Sequence, residues 1–242
     1  MIREVLNVLG LRKYVRALKR KIMSYEVPFT SCTPHLLIAV NHSLQWLQKN
    51  NLLNDSDYME FGIFRGFTFW YAQALAKDIG ALNMSFYGFD SFQGLPDMNN
   101  EENWGPFQKG AYCCYRKDVE DKLNSYGVEW NRTHLIEGWF DETLKTETRI
   151  RFPMKKCSLC VIDADLYSST KLALEFIAPL IKDKTIILFD DWYAYNNDPS
   201  KGEQKAYQEF LQNHQEFTSK AFLEIAAHGK GFLVERTSNS NL

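Results

Sequence analysis

From Tyr58 onward, short apolar runs alternate with stretches in which apolar residues recur every three or four positions. A short apolar run bounded by turn residues predicts a strand covered on both faces, and the 3.6-residue period predicts a helix lying against it. The runs predict strands at Tyr58–Gly62, Ser85–Asp90, Thr133–Glu137, Leu159–Asp163 and Thr185–Asp190. Helices are predicted over Thr68–Lys77, Val119–Tyr126 and Thr170–Ile181. Near the end, Ala221–Ala227 and Gly231–Glu235 flank His228-Gly229-Lys230, which predicts a hairpin turning at the glycine. The expected architecture is α/β and Rossmann-like: five parallel strands plus a C-terminal antiparallel hairpin, with helices on both faces.

The amino-terminal part has another pattern. Arg3, Arg12, Lys13, Arg16, Lys19, Arg20 and Lys21 stand against the single acid Glu4, among apolar residues at helical spacing. A basic amphipathic helix is expected there. It would lie on an anionic surface, cover a substrate, or pack on the domain or on a second subunit. Thr33 and Pro34 suit the cap and first position of a second helix reaching about Lys49. Residues 1–57 therefore read as a helical extension and residues 58–242 as the core. One stretch of the core fits neither period. Gly94 to Tyr115 is a loop rich in Pro, Gly and Asn that carries Trp104 and Phe107. It is expected to be either a lid or a surface excursion pinned by its aromatics.

Composition narrows the class. The chain's 242 residues fit one large domain, and 45% hydrophobic with 24% charged is ordinary for a soluble protein. A net charge of −2 supplies no global field for nucleic acid, and no apolar stretch reaches membrane-spanning length. The start has no signal-peptide core, and five cysteines suit a reduced, cytoplasmic setting. Cys157 and Cys160 match a CxxC spacing, but residues i and i+3 of a strand point to opposite faces. Buried cysteines whose thiols do not meet are expected. His35, His42, His134, His214 and His228 stand in no motif and read as structural or surface residues.

The chemistry concentrates where strands end. Glu60-Phe61-Gly62 leads through Ile63-Phe64-Arg65 to Gly66 and the first helix of the core, with Thr68 in its first turn. Glycines there let backbone approach a ligand, and the helix start offers N–H groups to a carboxylate, although a purely structural turn has the same look. Asp90, 28 residues beyond Gly62 and followed by Ser91, stands where ribose hydroxyls are accepted. After the third strand come Gly138, Trp139, Phe140 and Asp141. Phe140 could offer its backbone N–H to adenine and Asp141 accept from the exocyclic amine, or the aromatics could simply pack. Asp163 and Asp165 follow the fourth strand, and Asp190 and Asp191 the fifth. The 27 residues from Asp163 to Asp190 hold one βαβ unit, and neighbouring strands lie about 4.8 Å apart. Both pairs then converge at the carboxyl edge of the sheet, where they repel unless protonated or bridged by a cation. All-oxygen ligands suit Mg²⁺, Mn²⁺ or Ca²⁺; the alternative is that each acid caps a turn.

These strings together resemble the macrocin O-methyltransferase family: Glu60-Phe61-Gly62 with Gly66, Gly88-Phe89-Asp90-Ser91-Phe92-Gln93-Gly94-Leu95-Pro96, Ile162 through Thr170, and Phe189-Asp190-Asp191-Trp192. The resemblance runs from about Tyr58 to Glu235. It implies the class I methyltransferase fold, and S-adenosylmethionine with Mg²⁺ (or Mn²⁺) as cofactors. It further implies Asp163, Asp190 and Asp191 as metal ligands, Asp90 as ribose holder and Asp163 as the favoured base; by its place at the same strand end, Asp165 is the other candidate base. The cofactor-binding set would be Glu60, Gly62, Gly66 and Thr68, with Asp90, Ser91, Gly138, Phe140, Asp141 and Asp163. The partner would be a small hydroxyl acceptor containing a sugar, without nucleic acid or integral membrane association, and the chain would form a homodimer. Competing expectations are a binding module of the same fold without catalysis, or a nucleotide-sugar enzyme on a Rossmann scaffold.

Overall fold

The computed structural model describes residues 34–237. The basic helix expected before Ile22 and the Thr33 cap lie outside the described residues. The first described helix, α1, is Pro34–Lys49, and its Leu36, Val40, Leu44 and Leu47 form one buried stripe. Five strands then alternate with helices: β1 Asp57–Phe61, β2 Ser85–Asp90, β3 Thr133–Glu137, β4 Cys157–Ile162 and β5 Lys184–Phe189. The principal helices between and after them are α2 Phe67–Asp78, α3 Arg116–Ser125, α4 Tyr167–Ile177 and α5 Gly202–Asn213. The hairpin strands are β6 Phe217–Ile225 and β7 Gly229–Arg236.

All seven strands join one sheet in the order β3-β2-β1-β4-β5-β7-β6. Pairings among β1 to β5 are parallel, whereas β7 runs antiparallel to both β5 and β6. Alternation along each strand divides the core between two faces. Tyr58, Phe86, Val161, Ile186 and Leu188 pack with α1 and α2 through Leu44, Phe69 and Ala72. Met59, Phe61, Phe89, Ile162 and Phe189 pack on the other side with Leu174 and Ile177 of α4 and Phe210 of α5. Among the described residues no helix is long and apolar enough to cross a membrane.

Three local features depart from the sequence pattern. Helix α5 was not foreseen, because Ala206, Tyr207 and Phe210 are its apolar stripe within an otherwise polar stretch that opens on a glycine. The hairpin turns at Ala226–His228, not at Gly229. Ala226 takes the left-handed conformation at φ 51°, while Gly229 is needed because a Cβ there would lie 2.5 Å from the Phe189 carbonyl oxygen. The cysteine expectation also fails. The β1–β4 register slips from Asp57↔Cys157 to Tyr58↔Leu159, leaving Ser158 as an extra residue. That bulge turns Cys157 and Cys160 to the same face, where they are both buried and the Cys157 thiol bonds with Cys160. Both are free thiols.

The chain moves outward from β1 to β2 and β3, then crosses back to β4 on the other side of β1, so a crevice opens beyond the carboxyl ends of β1 and β4. Ladder bonding continues past the strands there. Gly62 N–H donates to the Phe89 carbonyl at 2.9 Å, Asp163 N–H to Phe61 at 2.9 Å, Asp190 N–H to Ile162 at 3.1 Å and Gly138 N–H to Asp90 at 3.0 Å. Four loops are thereby held in sheet register. Gly62 sits at φ 85°, and a Cβ on it would come 1.9 Å from the Asp163 carbonyl oxygen. Left-handed strain and a backbone overlap together should make Gly62→Ala cost about 3 kcal/mol. Thermal denaturation checks this: a Tm within a degree or two of wild type, about the error of such a comparison, would contradict the close approach.

Candidate active site

Asp90 organises the loop between β1 and α2. Its Oδ2 accepts the Ile63 and Phe64 backbone N–H groups, each at 2.9 Å, and its Oδ1 accepts Phe92 N–H at 2.6 Å. Phe64 and Phe92 both hold positive φ, 44° and 55°, a conformation that costs a bulky residue and that these bonds offset. Burial raises the Asp90 carboxyl above its ordinary range, opposed by the three donors. A carboxylate has about four lone-pair sites, so one remains for a ligand hydroxyl. Ser91 is occupied in its own turn, donating to the Gly94 carbonyl at 2.8 Å and accepting Gln93 N–H at 3.0 Å.

Glu60 lies under this loop, 2% exposed, and its carboxylate accepts the Tyr58 hydroxyl. Burial pushes it up to about 8, so it is largely protonated at neutral pH. Helix α2 begins at Gly66, φ 75°, without any side-chain cap, and Thr68 is buried in its first turn. Beyond β3, Gly138 has φ 139° and leads into a helical turn, Phe140–Thr143. Phe140 is half-buried, with its ring edge-on to Phe61 at 5.9 Å, and Asp141 is exposed.

The acids meet at the ends of β4 and β5. Asp163, Asp165 and Asp191 each offer a carboxylate oxygen, and the three oxygens lie within 4.8 Å of one another. Asp190 is outside that trio but adjoins it, since its charge is the largest that acts on Asp163. Its Oδ1 is buried without a hydrogen-bond partner. Asp165 stands at φ 60°, a strained conformation for a non-glycine residue. Burial first, and then the neighbouring carboxylates, push Asp163 and Asp165 well above the usual range. Asp191 rises to about 6 for the same reasons, held lower by a hydrogen bond from Asp165. The contact between Asp165 and Asp191 thus raises the first and lowers the second. Hard oxygen donors at this spacing, beside the buried Oδ1 of Asp190, fit a divalent cation.

A family model described as Macrocin-O-methyltransferase (TylF) matches residues 39–220. The chain belongs to this family. Among curated relatives of the macrocin O-methyltransferase member described here is a tetracenomycin-C rhamnosyl 4'-O-methyltransferase of Streptomyces olivaceus, 24% identical over 142 residues. That alignment takes in 56% of this chain and 52% of the relative. The mycinamicin III 3''-O-methyltransferase of Micromonospora griseorubida is 21% identical, over 56% of this chain and 55% of its own. The chain thus spans about half the length of the curated relatives it matches. Among solved structures, the O-methyltransferase NovP superposes with a TM-score of 0.68 at 19% identity, covering 84% of this chain and 80% of that one. CalS11, a calicheamicin methyltransferase, gives 0.66 at 21% identity, covering 94% and 92%. At these identities the likeness concerns the fold, which is the class I methyltransferase sheet.

In this family member the loop of residues 94–115 is folded onto the acid edge. Leu95 and Phe107 pack with Leu166 and Tyr195 in a small separate core. Glu102 on the loop accepts Ser168 N–H at 2.8 Å with its Oε1, and the Tyr195 hydroxyl donates to the Glu102 carbonyl at 3.1 Å. Sequence reasoning missed Glu102, and it missed two residues nearer the acids. His228 Nδ1 is 2.9 Å from the Asp190 carbonyl oxygen and 3.4 Å from Asp190 Oδ1. Facing that carboxylate raises His228 to about 9. Glu203 is buried near the cluster. An acid on the α5 stripe with Tyr207 and Phe210 was the available signal, and it required recognising α5 first.

Two outcomes follow from this geometry. The folded chain binds protons at Asp163, Asp165 and Asp191 more tightly than the unfolded chain, whose carboxyls titrate near 3.9. Stability in chelator should therefore fall as pH rises from about 4 through 6, and further for Asp163 and Asp165. Melting curves across that range should show the decline, flattened in Asp163→Asn. Removing the loop's anchor in Glu102→Ala should expose residues 94–115, so limited proteolysis should cut there about tenfold faster; unchanged rates would exclude the anchoring role.

Proposed function

We propose that this chain is an S-adenosylmethionine-dependent O-methyltransferase that acts on a sugar hydroxyl with a divalent cation, Mg²⁺ or Mn²⁺, at the acid edge. The observation that carries the reading is the trio of carboxylate oxygens within 4.8 Å beside the Gly62 loop, in a member of the macrocin O-methyltransferase family. The names of the relatives, which act on a rhamnosyl group and on mycinamicin III, support a sugar-bearing acceptor.

The chain's residues divide the work between the two reactants. The loop from Gly62 to Gly66, which those glycines let pack closely on Asp163 and on α3, would run along the methionine part of the donor, and the start of α2 favours its carboxylate. The remaining lone pair of Asp90 suits a ribose hydroxyl, and the turn of Gly138, Phe140 and Asp141 suits the adenine. Asp163, Asp190 and Asp191 would hold the cation, with Asp165 close enough to share it. A cation there supplies a Lewis acid that lowers the pKa of a hydroxyl placed beside it. Asp165, which a bound cation would leave ionised, would take the acceptor's proton. The freed oxygen then attacks the methyl carbon in line, forming a C–O bond as the C–S bond breaks and leaving a neutral thioether. Holding both reactants at contact distance supplies much of the rate.

Asp165→Asn should lower kcat by about 10²- to 10⁴-fold while leaving S-adenosylhomocysteine affinity within about threefold. Chelation should abolish turnover and added Mg²⁺ restore it. Methyl transfer to a sugar-bearing acceptor that proceeds undiminished in chelator would sink the cation's role.

A further inference from the structure

Glu203 opens α5 and is 1% exposed, yet neither of its carboxylate oxygens has a hydrogen-bond partner. An ionisable group so placed is costly unless something outside the chain's own atoms satisfies it. The backbone holds it there deliberately. Gln204 Nε2 donates to the Trp192 carbonyl and to Asn197 Oδ1, both at 2.8 Å, tying the start of α5 to the segment that follows Asp191. Gly202, at φ 52°, presses against the Tyr195 ring, where a Cβ would meet ring carbon at 2.8 Å. The charges that act most on Glu203 are Asp191, Asp190, Asp163 and Asp165, all of its own sign. Its carboxyl is therefore within electrostatic reach of the whole acid edge, where the nearest cationic group, His228, faces Asp190. It is absent from the trio whose oxygens lie within 4.8 Å of one another. A cation shared with those aspartates would answer both the unpaired oxygens and the like charge, directly or through water.

We propose that Glu203 is a further carboxylate of the cation site, holding a divalent ion through intervening water and so setting its affinity. This inference rests on the reading that the aspartates bind such an ion. Glu203 is a positioning residue, one layer behind the reacting atoms. Carboxylates in that position commonly tune metal affinity by 10- to 100-fold.

The test measures Mn²⁺ binding to the purified full-length chain by calorimetry, with S-adenosylhomocysteine affinity determined in parallel. Glu203→Gln keeps the shape and removes the charge; Glu203→Met is similar in size and apolar. Both variants should bind Mn²⁺ about 10- to 100-fold more weakly than wild type, with unchanged S-adenosylhomocysteine affinity. Both should melt at or above wild type in chelator, because a buried repelling group is gone, so the Tm gain on adding Mn²⁺ should shrink. Wild-type Mn²⁺ affinity in either folded variant overturns the inference while leaving the cation reading intact. A wild-type chain that binds no Mn²⁺ overturns both.

Discussion

Like charges gathered out of water are the constraint on which the rest of this structure turns. Parallel pairing of β4 with β5 sets their carboxyl ends side by side, and each strand is followed at once by acids. Two apolar layers clamp that edge from opposite faces, so the carboxylates are not free to spread into solvent. Protons are the chain's own means of relieving the repulsion: Glu60 rises to about 8, and Asp163 and Asp165 rise well above the usual carboxylate range. A cation would relieve it more completely. The aspartates thus cost the empty fold stability, which is what the proposed cation would return.

The donor side of the crevice is organised on the opposite principle. Asp90 is a carboxylate whose needs are nearly met from within, by three backbone amides of two turns. Those bonds hold the loop between β1 and α2 against the turn after β2, and they offset the left-handed strain at Phe64 and Phe92. One side of the site is preorganised by satisfied hydrogen bonds, the other by unsatisfied charge. Residues 94–115 bridge the two, since they begin just after the Asp90 turn and dock on Ser168 and Tyr195 beside Asp165.

Much of this was legible in the chain because the fold is written in period and punctuation. The limits of β2 and β3 and the placement of paired acids after β4 and β5 follow from apolar runs that end in polar residues. What escaped reading depends on displacements of a single residue or on distant partners. The bulge at Ser158 reverses the facing of Cys157, and nothing in a CSLC string announces an extra residue. The left-handed turn of the hairpin falls on Ala226, a residue with no preference for it, because Gly229 is claimed by close approach to β5. His228 and Glu203 approach the acids only once the hairpin and α5 return to the sheet. Their neighbours in sequence carry no trace of that meeting.

The backbone contact between Gly62 and the Asp163 carbonyl has a wider consequence. The strip of chain that faces the donor and the strip that carries the acids abut with no side chain between them. Their separation is therefore a property of the sheet spacing, which changes very little from one sequence to another. Under the proposed reaction, substitutions around the mouth would remodel which alcohol enters while the span a methyl group must cross stays constant. A scaffold built this way can diversify its acceptors without recalibrating its chemistry.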